Sequence, residues 1–269
     1  MSLLERLSLN QITTEPWSME QTVTACERHG IGYIGAWRHK LESNAVKASS
    51  LIHAAGLQVS SLCRGGWFSA PTAAERQAMI ADNLRAIEEA ATLGAPVLVM
   101  VAGPANGQTL DDARETFFDG VAALLPAAEK AQVTLGIEPL HPMYAAERSV
   151  VTTLQQANDL AERLNHPSVG VVVDAFHVWW DPQVWNEIER AKGRIAGFHV
   201  SDWPVPLPGI LMGRALMGAG VIELRRLRRA VEAASYTGPI EVEIFNDQVW
   251  RDAGDETIDR IKRSFLEFV

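Results

Sequence analysis

Short runs of apolar, β-favouring residues alternate with longer stretches of helical periodicity along the whole chain, and this rhythm constrains the fold more than any single motif. Strands are predicted at 7–10, 31–35, 57–62, 96–101, 133–137, 169–173, 195–200 and 240–244. Helical patterns follow at 19–29, 43–55, 73–93, 111–131, 150–164, 182–191, 222–234 and 255–268. Thr72 is placed to cap the helix that starts at Ala73, Gly94 to close it, and Gly56 to close the helix before it. Strand followed by helix, eight times over, makes a parallel α/β architecture. At 269 residues the chain fits a closed (β/α)8 TIM barrel, for which about 250 residues is typical. A doubly wound open sheet is the structural alternative. No glycine-rich dinucleotide fingerprint follows the first strand, where such a sheet would carry it. The expectation is one domain spanning 1–269, with no linker.

Charge then narrows the partners. Lys and Arg total 24 against 33 Asp and Glu, a net charge of −9, which argues against nucleic acid. The two cysteines, Cys26 and Cys63, lack disulfide or metal spacing and read as small core residues in a reducing compartment. The N-terminal MSLLERLSLNQ has no basic region and no long apolar run, so neither a signal peptide nor a membrane anchor is expected. The expected setting is cytoplasmic, with a homo-oligomer left open.

In a (β/α)8 barrel, catalytic residues stand at the C-terminal ends of the strands. Here the fifth strand runs into Glu138, the sixth into Asp174, the seventh carries His199 near its end, and the eighth carries Glu243. Each follows an apolar run and is expected to be buried. Unpaired buried carboxylates cost several kcal/mol each, roughly, so their convergence calls for a cation. No Lys or Arg stands beside them in the strands. A single strand-end carboxylate could as well cap a helix or pair with a distant base; three carboxylates and a histidine on four adjacent strands make a divalent metal the simpler account. One imidazole and three carboxylates suit Mn²⁺, with Mg²⁺, Co²⁺ or Zn²⁺ as alternatives.

The C-terminal half carries the sequences Gly136-Ile137-Glu138-Pro139, Asp174-Ala175-Phe176-His177, Gly197-Phe198-His199-Val200, Gly218-Ala219-Gly220-Val221-Ile222 and Gly238-Pro239-Ile240-Glu241-Val242-Glu243. In these the chain resembles the xylose-isomerase-like sugar isomerase/epimerase superfamily, along essentially its whole length. The resemblance to its ketohexose 3-epimerases implies that Glu138, Asp174, His199 and Glu243 bind one metal. It implies that Glu138 and Glu243 are also the acid/base pair on opposite faces of the substrate, and that His177 contacts a substrate oxygen. Two positions depart from that pattern. Tyr144 stands where those epimerases have an acidic residue, and Val205 where they have an arginine; Arg148 or Arg214 are the candidate substitutes.

The implied reaction is proton transfer beside a carbonyl. A bound metal would polarise a carbonyl and the neighbouring hydroxyl, one glutamate would remove a proton from the adjacent C–H, and the other would return one. Expulsion of a β-substituent after the same proton removal would make the enzyme a lyase or dehydratase on a keto-sugar, keto-glycoside or inosose, with His141 as the extra acid. The substrate is expected to be a small carbohydrate, contacted by His177, Trp37, Arg38, Arg64, Trp67, Trp179, Trp203 and Arg148. A non-catalytic sugar-binding protein and an abasic-site endonuclease are the competing classes. The endonuclease needs a His-rich metal cluster and a basic groove, which Met100-Val101-Ala102 and the acidic charge do not supply. Of the eight tryptophans, only Trp185 falls within a predicted helix; Trp17, Trp37, Trp67, Trp179, Trp180, Trp203 and Trp250 follow strands, which points to stacking against a sugar ring. The Pro- and Gly-rich stretch 203–221 is long enough for a lid or binding segment.

Overall fold

A computed structural model describes residues 2–70 and 72–269; Met1, the first residue of the stretch read above for a leader, and Pro71 lie outside it. The strands close into a parallel barrel in sequential order, β1 pairing with both β2 and β8. They are β1 (Leu7–Asn10), β2 (Tyr33–Trp37), β3 (Gln58–Gly66), β4 (Val97–Val101), β5 (Thr134–Ile137), β6 (Val169–Asp174), β7 (Ile195–Val200) and β8 (Ile240–Val242). The outer ring is α1 (Met19–His29), α2 (Ala45–Ala54), α3 (Ala73–Leu93), α4 (Leu110–Ala131) and α5 (Leu154–Leu164). It continues through two short helices, α6 (Ala175–Val178) and α7 (Val184–Arg190), and then α8 (Leu224–Ala233), α9 (Asp247–Arg251) and α10 (Asp255–Phe268).

Local chemistry sets the helix ends. Ser18 with Gln21, and Thr72 with Glu75, form reciprocal capping boxes ahead of α1 and α3. Gly30 and Gly94 close those helices in the left-handed conformation. Several boundaries differ from the sequence expectation. α2 ends at Ala54, so Gly56 stands one residue beyond its cap. The helix expected from residue 150 starts at Leu154, where Thr153 supplies the capping oxygen. β3 runs on to Gly66, because pairing with β4 overrides the poor strand propensity of Arg64-Gly65-Gly66, at the cost of an irregularity between Cys63 and Gly65.

Successive residues of a strand point alternately outward and into the barrel. The outward set, including Leu7, Leu9, Ile34, Leu98, Leu135, Val171, Phe198 and Val242, packs against the helices as one apolar shell. The inward set is mixed: Cys63, Val99 and Val172 form a small apolar cluster with Trp37 against it, Ser8 meets Ser60 at 2.7 Å, and Asn10 donates to Glu241 Oε2 at 2.9 Å. A Cβ at Gly35 would sit 2.2 Å from that Glu241 oxygen, so the glycine makes the room that the carboxylate fills. Cys26 and Cys63 are free and buried. Among the described residues, no helix is long and apolar enough to cross a membrane.

Candidate functional site

Inward alternation delivers the four strand-end residues to one point. Asp174 is the last residue of β6 and pairs in register with His199 on β7. Glu138 and Glu243 each follow a strand by one residue, yet the ladder still holds them: Glu138 N–H donates to Met100 O, and Glu243 N–H to Val200 O. All four side chains are buried, and one ligand atom from each lies within 4.8 Å of the others. His199 Nδ1 is 3.2 Å from Glu138 Oε1 and 3.6 Å from Glu243 Oε2. None of this geometry makes a hydrogen bond: Glu138 Oε1 and both ring nitrogens of His199 are buried without a partner. Such orphaned donor atoms at ligand spacing fit a divalent cation.

Charge points the same way. Burial, the largest influence, pushes the Glu138 carboxyl up to about 7. Burial works against the His199 imidazolium, but Glu241, Glu138 and Glu243 around it outweigh that and raise its pKa well above the ordinary value. Burial likewise favours a neutral Asp174, yet the positive charge of Arg214 leads the groups that hold it below the usual carboxylate range. A cation bound here would take the place of the protons that the cluster otherwise retains.

Sequence reasoning missed two contributors. Glu241 is the inward residue one pair below Glu243, and its Oε2 lies 3.7 Å from His199 Nε2. Arg214, raised above only as a substitute for a missing arginine, reaches in from the loop after β7. Its Nη1 donates to Asp174 Oδ2 at 2.8 Å and to Glu243 Oε2 at 3.0 Å. The loop itself is pinned. Asp202 accepts from the backbone N–H groups of Trp203, Gly218 and Ile222, and Tyr144 donates its hydroxyl proton to Ile210 O.

Above the cluster lies a narrow cleft. Trp37, Arg64, Tyr144, Arg148, His177, Leu211, Arg214 and Phe245 line it together with Glu138 and Glu243. His177 Nδ1 accepts from the His141 backbone N–H, which puts the proton of the neutral ring on Nε2. Nε2 then stands 3.0 Å from Arg214 Nη2, a donor facing a donor, and 3.6 Å from Asp174 Oδ2. Burial depresses the His177 pKa to about 3, so the ring stays neutral.

The other expected contacts lie behind or beside the cleft. His141 turns its ring to Trp180 and Trp203, and its Nδ1 accepts from Met143 N–H. Burial lowers its pKa. Trp203 stacks on Phe176 at 4.8 Å and meets Trp179 at 5.4 Å, so this aromatic group backs the site rather than facing it. Arg38 turns away toward α3, where Asp82 and Glu89 bind it. Trp67 packs under the Arg64 guanidinium at 3.8 Å.

Known proteins place the chain. Protein SMc04130 from Sinorhizobium meliloti 1021 superposes with a TM-score of 0.95 at 44% identity, covering 98% of each chain. A structure of the IolI protein with a bound zinc atom shares the fold, with a TM-score of 0.86 at 21% identity over 98% of each chain. L-ribulose-5-phosphate 3-epimerase UlaE of Salmonella paratyphi A is 25% identical over 212 residues, 77% of this chain and 71% of that one. The family model described as xylose isomerase-like TIM barrel matches residues 23–265. The barrel order, the rim cluster and that match agree: this chain belongs to the xylose isomerase-like TIM barrel family.

Proposed function

We propose that the protein is a divalent-metal-dependent carbohydrate isomerase or epimerase that moves a proton beside a carbonyl. The observation that carries this reading is the convergence of buried Glu138, Asp174, His199 and Glu243 at the floor of a cleft, with Glu138 Oε1 and both His199 ring nitrogens unpartnered. The similarity to a pentulose-phosphate epimerase supports the substrate class. The donor set suits Mn²⁺, with Mg²⁺, Co²⁺ and Zn²⁺ as the ions to compare.

A bound divalent cation would polarise a carbonyl and its neighbouring hydroxyl, making the intervening C–H acidic. The chain supplies the rest. Glu138 and Glu243 come from strands separated by β6 and β7, so they can address a bound sugar from two sides. One accepts the proton as a carboxylate and the other delivers one as a carboxylic acid, a role suited to a Glu138 carboxyl that burial moves toward neutrality. Arg214 and Asn10 hydrogen-bond Glu243 and hold its position. His177 Nε2–H and Arg214 Nη2 converge with no acceptor between them, and an oxygen of the substrate would accept from both.

The lyase alternative is supported less well, because its expected extra acid, His141, packs against two tryptophan rings and is not among the residues lining the cleft. The test is metal removal. Chelation should abolish interconversion of ketose stereoisomers, and Mn²⁺ should restore it; full turnover by the stripped protein overturns the reading.

A further inference from the structure

The cleft holds more positive charge than its carboxylates use. Three arginines line it: Arg64, Arg148 and Arg214. Arg214 is matched by Asp174 and Glu243. Among the described residues, no carboxylate lies within ion-pair distance of Arg64 or Arg148. The contrast with Arg38 is instructive, because it borders the same region and is bound by both Asp82 and Glu89. A chain with a net charge of −9 has no shortage of acids to place beside an arginine. Leaving two partly buried guanidinium groups unmatched at one site costs stability unless a ligand completes them.

The two groups are also prepared for a ligand. Trp67 stacks beneath Arg64, which holds the planar guanidinium in one orientation while leaving its N–H edge free. Arg148 lies over the Tyr144 ring, 5.8 Å from its centroid. Burial, the largest influence, lowers the Arg64 pKa; Cys63 and Asp82 work against that, and the neighbouring charges of Arg148 and Arg38 add to it. Guanidinium pairs of this kind match the planar, two-oxygen edge of a carboxylate or a phosphate.

We propose that the substrate carries an anionic group, a phosphate or a carboxylate, and that Arg64 and Arg148 bind it while the carbonyl end lies over Glu138 and Glu243. This rests on the isomerase reading for the carbonyl end only; the anion site stands on its own geometry.

The experiment uses the intact protein and two probes, inorganic phosphate and glycolate, with binding followed by calorimetry in wild type, Arg64→Leu, Arg148→Leu and Arg64→Lys. One probe should bind saturably, lose roughly 10–100-fold in affinity in each Leu variant, and recover in part in Arg64→Lys. Phosphate as the stronger probe assigns a sugar phosphate, and glycolate as the stronger assigns a sugar acid. On the metal-loaded enzyme, the Leu variants should raise KM for the anionic ketose by a similar factor, and by more than they raise it for a neutral ketose. Equal, weak binding of both probes in all four proteins overturns the proposal, as does equal turnover of anionic and neutral ketoses by wild type and variants. Anion binding that depends on Arg64 in a protein that interconverts no ketose would sink the isomerase reading and leave the anion site standing.

Discussion

The two halves of the barrel rim differ in kind. β5 to β8 deliver Glu138, Asp174, His199 and Glu243, all able to exchange a proton or hold a cation. β1 to β3 deliver Asn10, Trp37 and Arg64, none of which changes charge near neutral pH, and β4 ends in Val101. The first half serves as a frame for the second. Trp37 Nε1–H donates to Asn10 Oδ1 at 2.7 Å, and Asn10 Nδ2 in turn donates to Glu241. The difference teaches that one closed sheet can divide its rim by strand: groups that can take up a proton or a cation on one arc, groups of fixed charge and shape on the other.

The strongest way to break this division is Glu243→Gln, which keeps the shape and removes a proton acceptor. Turnover should fall by roughly 10²–10⁴-fold with the far-UV spectrum unchanged. Retained activity would remove the proton-transfer arc. Next in size is Gly35→Ala on the framing arc, where the added Cβ would press on the Glu241 carboxylate. It should destabilise the fold by about 1–3 kcal/mol, read from the denaturant midpoint. A neutral effect would mean that Glu241 moves freely and that the frame is not a frame. The mildest test is pH. Because the Glu138 carboxyl is raised to about 7, metal and proton compete for it. Metal affinity should weaken as pH falls below about 7, by up to roughly tenfold per unit, with proton uptake on metal release. An affinity flat from about pH 6 to 8 would show that Glu138 takes no part.

The barrel was legible in the sequence because each element signals itself locally, by periodicity in the runs and by Ser18, Thr72 and Gly94 at the helix ends. The rim cluster was legible because strand ends in such a barrel face one another. Glu241 was not singled out, since a Glu-Val-Glu alternation also describes a strand with one wet face. The overlooked signal is that a parallel barrel strand has no wet face, so a charge in register with Glu243 must be buried. Arg214 depends on contacts between residues distant in sequence, and only the closed loop reveals its pairing with Asp174. The tryptophans mislead for a related reason. Trp37 proves to end β2 and Trp250 to lie in α9, Phe176 draws Trp203 behind the rim, and only Trp37 reaches the cleft wall among those expected to face a sugar.

Asp202 holds both roots of the loop after β7, taking N–H bonds from Trp203, Gly218 and Ile222, while its backbone pairs with Ala215 next to Arg214. Mechanically, this is a clasp that fixes the base of the loop. The tip has a hold of its own, through Ile210 O on the Tyr144 hydroxyl, and Leu211 beside it lines the cleft. Clasp and tip bond together make the loop a rigid arm for Arg214, so a change at Asp202 or Tyr144 would be felt at Asp174 and Glu243.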